Sequence, residues 1–350
     1  MISNNWPTSE WHFVSPSDAR MDTYKLNELD SHIKSHYKNI GGIVIVKNGS
    51  IVYEAYYNGY KDSDVHHVAS VTKSVVSALV GIAIDEGVIK SVDQRVLEYF
   101  PEYQVSDEDF LKKAVTIKHL LTMTAPFPFS WKEGDSRSHE PLDRLRRQKD
   151  WITYSLNLLG QKGQLGQFQY YTAGTHLLSA IITKATGISM REYANQVLFR
   201  PLGMKEIPDY DMKSFSLEAV FGKDIKGWTK DPQGITAGGF GLTLTPRDMA
   251  RFGLLYLNQG KWDQKQVISK EWIMASLGMN TNNYGYLWWL KADNNLFSFS
   301  ALGAGGNVIC CIPEKDIVIA FASDIINNPK DRWPLIEKYI LTAICDGDQL

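Results

Sequence analysis

The sequence predicts a mixed α/β fold of the α+β kind: one antiparallel sheet flanked by helices, with a large, mainly helical region inserted between the sheet's two halves. Three observations predict it. Residues 41–59, GGIVIVKNGSIVYEAYYNG, hold two β-rich runs around Asn48-Gly49, a strong hairpin signal. Residues 68–84, VASVTKSVVSALVGIAI, read as a helix that is apolar on every side and so belongs in a core. After residue 280 the pattern turns to strands, so sheet-forming segments stand at both ends of the chain instead of alternating with helices.

The elements follow in order. A moderately polar helix is expected from Tyr24 to Tyr37, before the hairpin. The buried helix covers 70–86 and stops near Gly87. From about 90 to 280 the chain reads as helices joined by long loops. Thr116–Thr122 (TIKHLLT) opens one helix. Thr172–Ala185 is another, with Thr172 as its cap and Gly187 as its stop. Thr245-Pro246 opens a third, with a hydroxyl cap and a proline in the first turn. The runs 284–290 (YGYLWWL), 296–303 (LFSFSALG), 307–312 (NVICCI) and 316–322 (DIVIAFA) supply the end strands, with a turn at Pro313–Asp316. A helix from Trp333 to Ile344 closes the chain. The expected organisation is a single unit over 1–350, with its α/β part at 20–90 and 281–350 and its helical part at 91–280.

Composition narrows the function. A chain of 350 residues, 44% hydrophobic and 22% charged, can bury a large core. A net charge of −2 gives no ground for a nucleic-acid partner or for attraction to an acidic membrane surface. The longest near-apolar stretch, Val75 to Ile84, is too short to span a bilayer, and the first twenty residues show no signal-peptide pattern. The expectation is a soluble, cytoplasmic protein with no membrane partner. Cys310, Cys311 and Cys345 cannot all pair, which fits a reducing compartment. On a strand Cys310 and Cys311 point to opposite faces, and they read as packing residues.

Ser70 and Lys73 carry the chemistry. The same Ser-x-x-Lys spacing recurs at Ser31–Lys34 and Ser35–Lys38, but those copies lie on the polar early helix, where a solvated lysine keeps its proton. Ser70 instead stands at the mouth of a helix that must be buried. Side chains three apart share a helix face. Burial disfavours an ammonium, so an amine there can take the serine proton, while the helix N-terminus offers N–H groups to a developing oxyanion. Serine activation of this kind is nucleophilic catalysis.

VASVTKS, preceded by the hairpin and followed by the apolar helix, resembles the serine β-lactamase and penicillin-binding-protein superfamily, most closely its class C β-lactamase-like branch. That branch includes DD-peptidases, family VIII carboxylesterases and hydrolases of short nylon oligomers. The resemblance covers about residues 38–345 and implies a β-lactamase/transpeptidase-like fold. GQFQYYTAGTHLLSAIITKATG (166–187) is similar to the family's second motif. It places Tyr170 as general base or proton relay beside Lys73, and Thr172 where asparagine is usual. SALGAGGNVICC (300–311) resembles the final motif. There the basic residue is replaced by Ala301-Leu302, Gly303 is retained, and the backbone N–H of Ala304 would complete an oxyanion hole with that of Ser70. Thr172, Gly303 and Gly305 are the substrate-binding candidates. The lost cation and lost carboxamide argue against β-lactams and D-Ala-D-Ala termini and for ester or amide substrates. TIKHLLTMT, PLGMKE and GGFGLTLTPRDMARFGLLYLNQGKW add to the likeness, and Trp228 and Phe240 are candidates for the cleft lining.

Other constellations are weaker. Neither a Gly-x-Ser-x-Gly elbow nor a phosphate loop occurs. His32 and His36 have a metal-compatible spacing but no third ligand, and read as a solvated pair. Alternation would aim one of His66 and His67 at the cleft, with packing the stronger reading. His176 reads as structural, and Glu140, Asp143 and Arg144–Arg147 read as a solvated face. The sequence therefore predicts a serine hydrolase that works through an acyl-enzyme on a small ester, amide or peptide, with no metal or cofactor. The alternatives are a catalytically weak penicillin-binding or peptide-sensing module, a D-Ala-D-Ala carboxypeptidase, or a β-lactamase.

Overall fold

The computed structural model describes residues 6–128, 142–293 and 296–345, apart from the side chain of Asp143. Glu140 and the Asp143 side chain lie outside the described residues. The rest of that expected solvated run is not uniform, because Arg146 is buried.

A six-stranded antiparallel sheet organises the molecule. Its strands are β1 (Ile40–Lys47), β2 (Ser50–Tyr56), β3 (Trp289–Asp293), β4 (Leu296–Gly303), β5 (Asn307–Ile312) and β6 (Ile317–Ser323), in the spatial order β2-β1-β6-β5-β4-β3. The two ends of the chain meet where β1 pairs with β6, Val44 opposite Ala320. The β1–β2 turn is made by Asn48 and Gly49, both with positive φ (50° and 77°), as a tight hairpin twisting with its strands requires.

Both faces of the sheet are covered, so its central strands are apolar throughout rather than alternating with polar residues. Val44, Ile309, Cys311, Val318 and Ala320 point to one core, and Ile43, Ile45, Cys310, Ile319 and Phe321 to the other. Cys310 and Cys311 thus face opposite ways and both are buried. Burial pushes the Cys310 thiol up to about 11 and also raises that of Cys311 well above its ordinary value. The second core is closed by helix α1 (Thr23–His36), through Leu26, Leu29 and Ile33, and by the closing helical segment 333–343. Asp22 starts α1 by accepting from the N–H groups of Tyr24 and Lys25.

The first core holds helix α2 (Val71–Asp85), whose residues from Val71 to Ala83 are all buried, between the sheet and helix α3 (Thr172–Thr186). Helix α4 (Pro246–Leu257), capped by Thr245 as its sequence requires, lies directly on the sheet. A Cβ built on Gly253 would stand 2.5 Å from Val318 and 2.8 Å from Ile309. The sheet layer therefore draws in part of the expected 91–280 helical insertion.

Two further expectations are corrected. The run 284–290 is not a strand: apart from a bridge between Tyr284 and Trp289, strand pairing begins at Trp289, and Leu287 takes φ +60°. The chain there turns so that Trp288 packs against Phe252, Tyr256 and Phe299, while the Leu287 carbonyl accepts from Ser74. The cap of α3 is Tyr171, and Thr172 is the first helical residue, while Gly187 ends the helix at φ +76° as expected.

Candidate active site

Ser70 occupies the N-cap of α2, yet its hydroxyl caps nothing. The residue before it, Ala69, has φ +49°, a conformation that a side chain disfavours and that the surroundings must enforce. They do so from both sides. The Ala69 N–H donates to His67 Nδ1, and the Ala69 carbonyl accepts from the Thr72 hydroxyl at 2.7 Å. Burial pushes His67 down to about 4, which keeps Nδ1 an acceptor at neutral pH. His67 therefore shapes the loop from within the core. His66 packs against Tyr60 and Gly41, so neither histidine faces the cleft.

Lys73, one turn on, is 1% exposed. Its Nζ stands 2.9 Å from Ser70 Oγ and 2.9 Å from the Gly239 carbonyl. Among the described residues these are its polar contacts, and neither is a carboxylate. The decoy copies of the motif behave differently. Ser31 and Ser35 donate to carbonyls of their own helix, Lys34 pairs with Asp30, and Lys38 donates to the Lys34 carbonyl.

Tyr170 lies just ahead of α3, and Nζ of Lys73 sits over its ring, 4.9 Å from the centroid. Trp289 stacks on the same tyrosine at 5.7 Å, and Tyr284 meets both rings edge-on. This aromatic brace was not visible in the sequence, because it joins segments more than a hundred residues apart. Thr172 is buried, and its carbonyl accepts from Thr175.

Strand β4 brings Gly303 to the same place. A Cβ there would fall 2.3 Å from the Val68 carbonyl and 3.3 Å from the Ala69 side chain, so only glycine lets the strand end lie against the Ser70 loop. Beyond Ser300 the edge of β4 has no partner in β3. Among the described residues the backbone N–H groups of Ser70 and Ala304 donate to no protein acceptor. Ala301 is buried in the first core, on the side of Ser70, whereas Leu302 is paired with Val308 and points to the sheet's other face, so the position of the missing basic residue holds only the Ala301 methyl. Gly305 is different: it is buried at φ +80°, and its carbonyl accepts from Asn39 and Arg332. It braces the turn and does not line the cleft, because its polar atom is already engaged. Trp228 and Phe240 are also core residues, not cleft lining.

A separate surface depression of about 970 Å3, bordered by Asp62, Arg247 and Arg251 among others, includes none of these residues. Its arginines are already paired, Arg247 with Glu54 and Asp62 and Arg251 with Asp248. Among the described residues no group of three His, Cys, Asp or Glu side chains is placed to hold a metal, and no helix is long and apolar enough to cross a membrane.

A three-layer fold with a Ser-x-x-Lys pair at the mouth of its core helix defines the class, and comparison with known proteins gives the family. The β-lactamase family model matches residues 29–336, so the chain belongs to the β-lactamase family, within the serine β-lactamase and penicillin-binding-protein superfamily. It is 25% identical over 320 residues to a 6-aminohexanoate-dimer hydrolase of Paenarthrobacter ureafaciens, covering 86% of this chain and 76% of that one. It is 24% identical over 205 residues to esterase EstB of Burkholderia gladioli, covering 54% of this chain and 52% of that one. The fold matches an octameric penicillin-binding-protein homologue from Pyrococcus abyssi with a TM-score of 0.66 at 21% identity, over 91% of this chain and 76% of that one. The protein is a hydrolase of this family.

Proposed function

We propose that the protein hydrolyses linear esters or amides through an acyl-enzyme on Ser70. The amine of Lys73 takes the Ser70 proton as Oγ attacks the substrate carbonyl. The N–H groups of Ser70 and Ala304 hold the oxyanion, and Lys73 with Tyr170 hands the proton to the leaving group. A water molecule, deprotonated through the same pair, then breaks the acyl–Oγ bond and restores Ser70. The observation that carries this reading is the 2.9 Å approach of a buried amine to a serine hydroxyl that caps no helix.

The substrate class follows from the strand edge. A substrate carboxylate calls for a cation beside Gly303, and the chain has the buried Ala301 there instead. The relatives named 6-aminohexanoate-dimer hydrolase and esterase EstB support the same choice. Three free thiols support a reducing, cytoplasmic setting.

A parallel assay with a chromogenic ester, the 6-aminohexanoate dimer, a chromogenic cephalosporin and a D-Ala-D-Ala peptide tests the reading. Turnover of the ester or the linear amide ahead of the other two is expected. Preference for the cephalosporin or the peptide overturns the substrate assignment, and covalent labelling of Ser70 without turnover of any of the four favours a binding module.

A further inference from the structure

We propose that His176 and Asp231 form a positioning pair for Lys73, acting through the backbone of the Gly238–Gly239 segment. The inference rests on the reading of Lys73 as the activator of Ser70.

The chain of contacts is continuous. Asp231 is buried, and Oδ1 accepts from the N–H groups of Gln233 and Ile235 at 2.8 Å each. Its Oδ2 lies 3.0 Å from His176 Nε2, and both side chains are almost wholly out of solvent. The other ring nitrogen, Nδ1, accepts from the Gly238 N–H at 3.4 Å. That pairing fixes the tautomer: Nε2–H donates to the carboxylate, and Nδ1 receives. The Gly239 carbonyl, two peptide units further on, holds Lys73 Nζ.

Three features make this more than a satisfied core pair. First, residues 238–239 are pressed onto the opening turns of α3. A Cβ on Gly238 would stand 2.0 Å from the Thr175 carbonyl, and one on Gly239 would stand 2.4 Å from Thr172. The segment cannot be pinned there by side chains of its own. Second, the imidazole supplies a side-chain anchor at Gly238, next to the one carbonyl that holds Lys73. Third, an amine with two acceptors has its direction set by both, so a shift of the Gly239 carbonyl turns Nζ away from Ser70 Oγ. Displacement on the ångström scale at a reacting centre costs up to about a hundredfold.

The two halves of the imidazole can be separated by substitution. His176→Gln keeps a donor for Asp231 but leaves the Gly238 N–H without its acceptor. His176→Asn places an oxygen near the old Nδ1 but strips Asp231 of one partner, the more destabilising loss because a buried carboxylate is involved. The readouts are melting temperature and the second-order rate of Ser70 labelling by a fluorophosphonate, well below either melting point. His176→Asn is expected to be the less stable variant yet to label within about threefold of the wild type. His176→Gln is expected to be the more stable yet to label at least about tenfold slower. In a Lys73→Ala background the Gln substitution should make no further difference. Labelling rates that follow melting temperature, a Gln variant equal to the wild type, or an undiminished Gln effect without Lys73 each overturn the positioning role while leaving the serine assignment intact. A wild type that fails to label, or a Ser70→Ala variant that labels equally, overturns both.

Discussion

At the scale of residues, the proposed chemistry depends on what Ser70 is kept from doing. A serine at a helix start ordinarily bonds the helix's free N–H groups. Here Ala69 is held at positive φ by His67 and Thr72, the hydroxyl makes no cap, and Lys73 Nζ is its neighbour. Ser70→Ala should abolish turnover. Lys73→Ala and Tyr170→Phe should each lower kcat/KM by at least about a hundredfold, with unchanged far-UV circular dichroism. Normal ester turnover by any of the three removes that residue from the mechanism. Ser70 and Lys73 could be read from the sequence because a helix fixes the geometry of positions three apart. The Gly239 carbonyl could not: a backbone acceptor leaves no mark on residue identity, and it meets Lys73 across 166 positions. Gly305 misled for the opposite reason, since a glycine needed for a turn and one needed for substrate approach look alike in a sequence.

At the scale of elements, caps and turn residues gave the dependable signals. Asn48-Gly49, Thr245-Pro246 and Gly187 each mark an element end within a residue or so. The run YGYLWWL failed as a strand because its aromatic residues are buried by a turn, and bulk alone does not distinguish burial on a sheet from burial in a loop. Helix α4 was found by its cap, but its seat on the sheet was hidden until Gly253 was seen against Val318 and Ile309. That contact makes a sharp prediction. Gly253→Val forces an isopropyl group into an occupied space and should cost about 1–3 kcal/mol, read as a lowered urea midpoint with an unchanged m-value. An unchanged midpoint would show that α4 does not pack as described.

At the scale of the molecule, the two ends of the chain share one sheet, and the loop that carries Ser70 is trapped between that sheet and the core helix. Pairing across the sheet follows from the apolar runs, but the sequence has no way to show that both faces are covered until α1 and the closing segment are placed on the second face. One consequence is a stability that depends on pH. Burial lowers His67 to about 4 in the folded state, below its unfolded value of about 6.5. As pH falls below about 6.5 the unfolded chain binds a proton that the native state refuses. The contribution of His67 is therefore complete above that range and is lost steadily down to about pH 4. The urea midpoint should fall across this interval, and His67→Asn, which retains an acceptor for Ala69, should flatten the slope. An equal slope in the variant assigns the acid sensitivity to other groups.

The central claim is that one serine of this chain is activated, and that it is Ser70. Peptide mapping by mass spectrometry after brief exposure to a fluorophosphonate tests it most directly. The account predicts a single adduct on the peptide that carries Ser70, strongly reduced in Lys73→Ala and absent in Ser70→Ala. An adduct on any other serine, or a protein left unmodified, would contradict it.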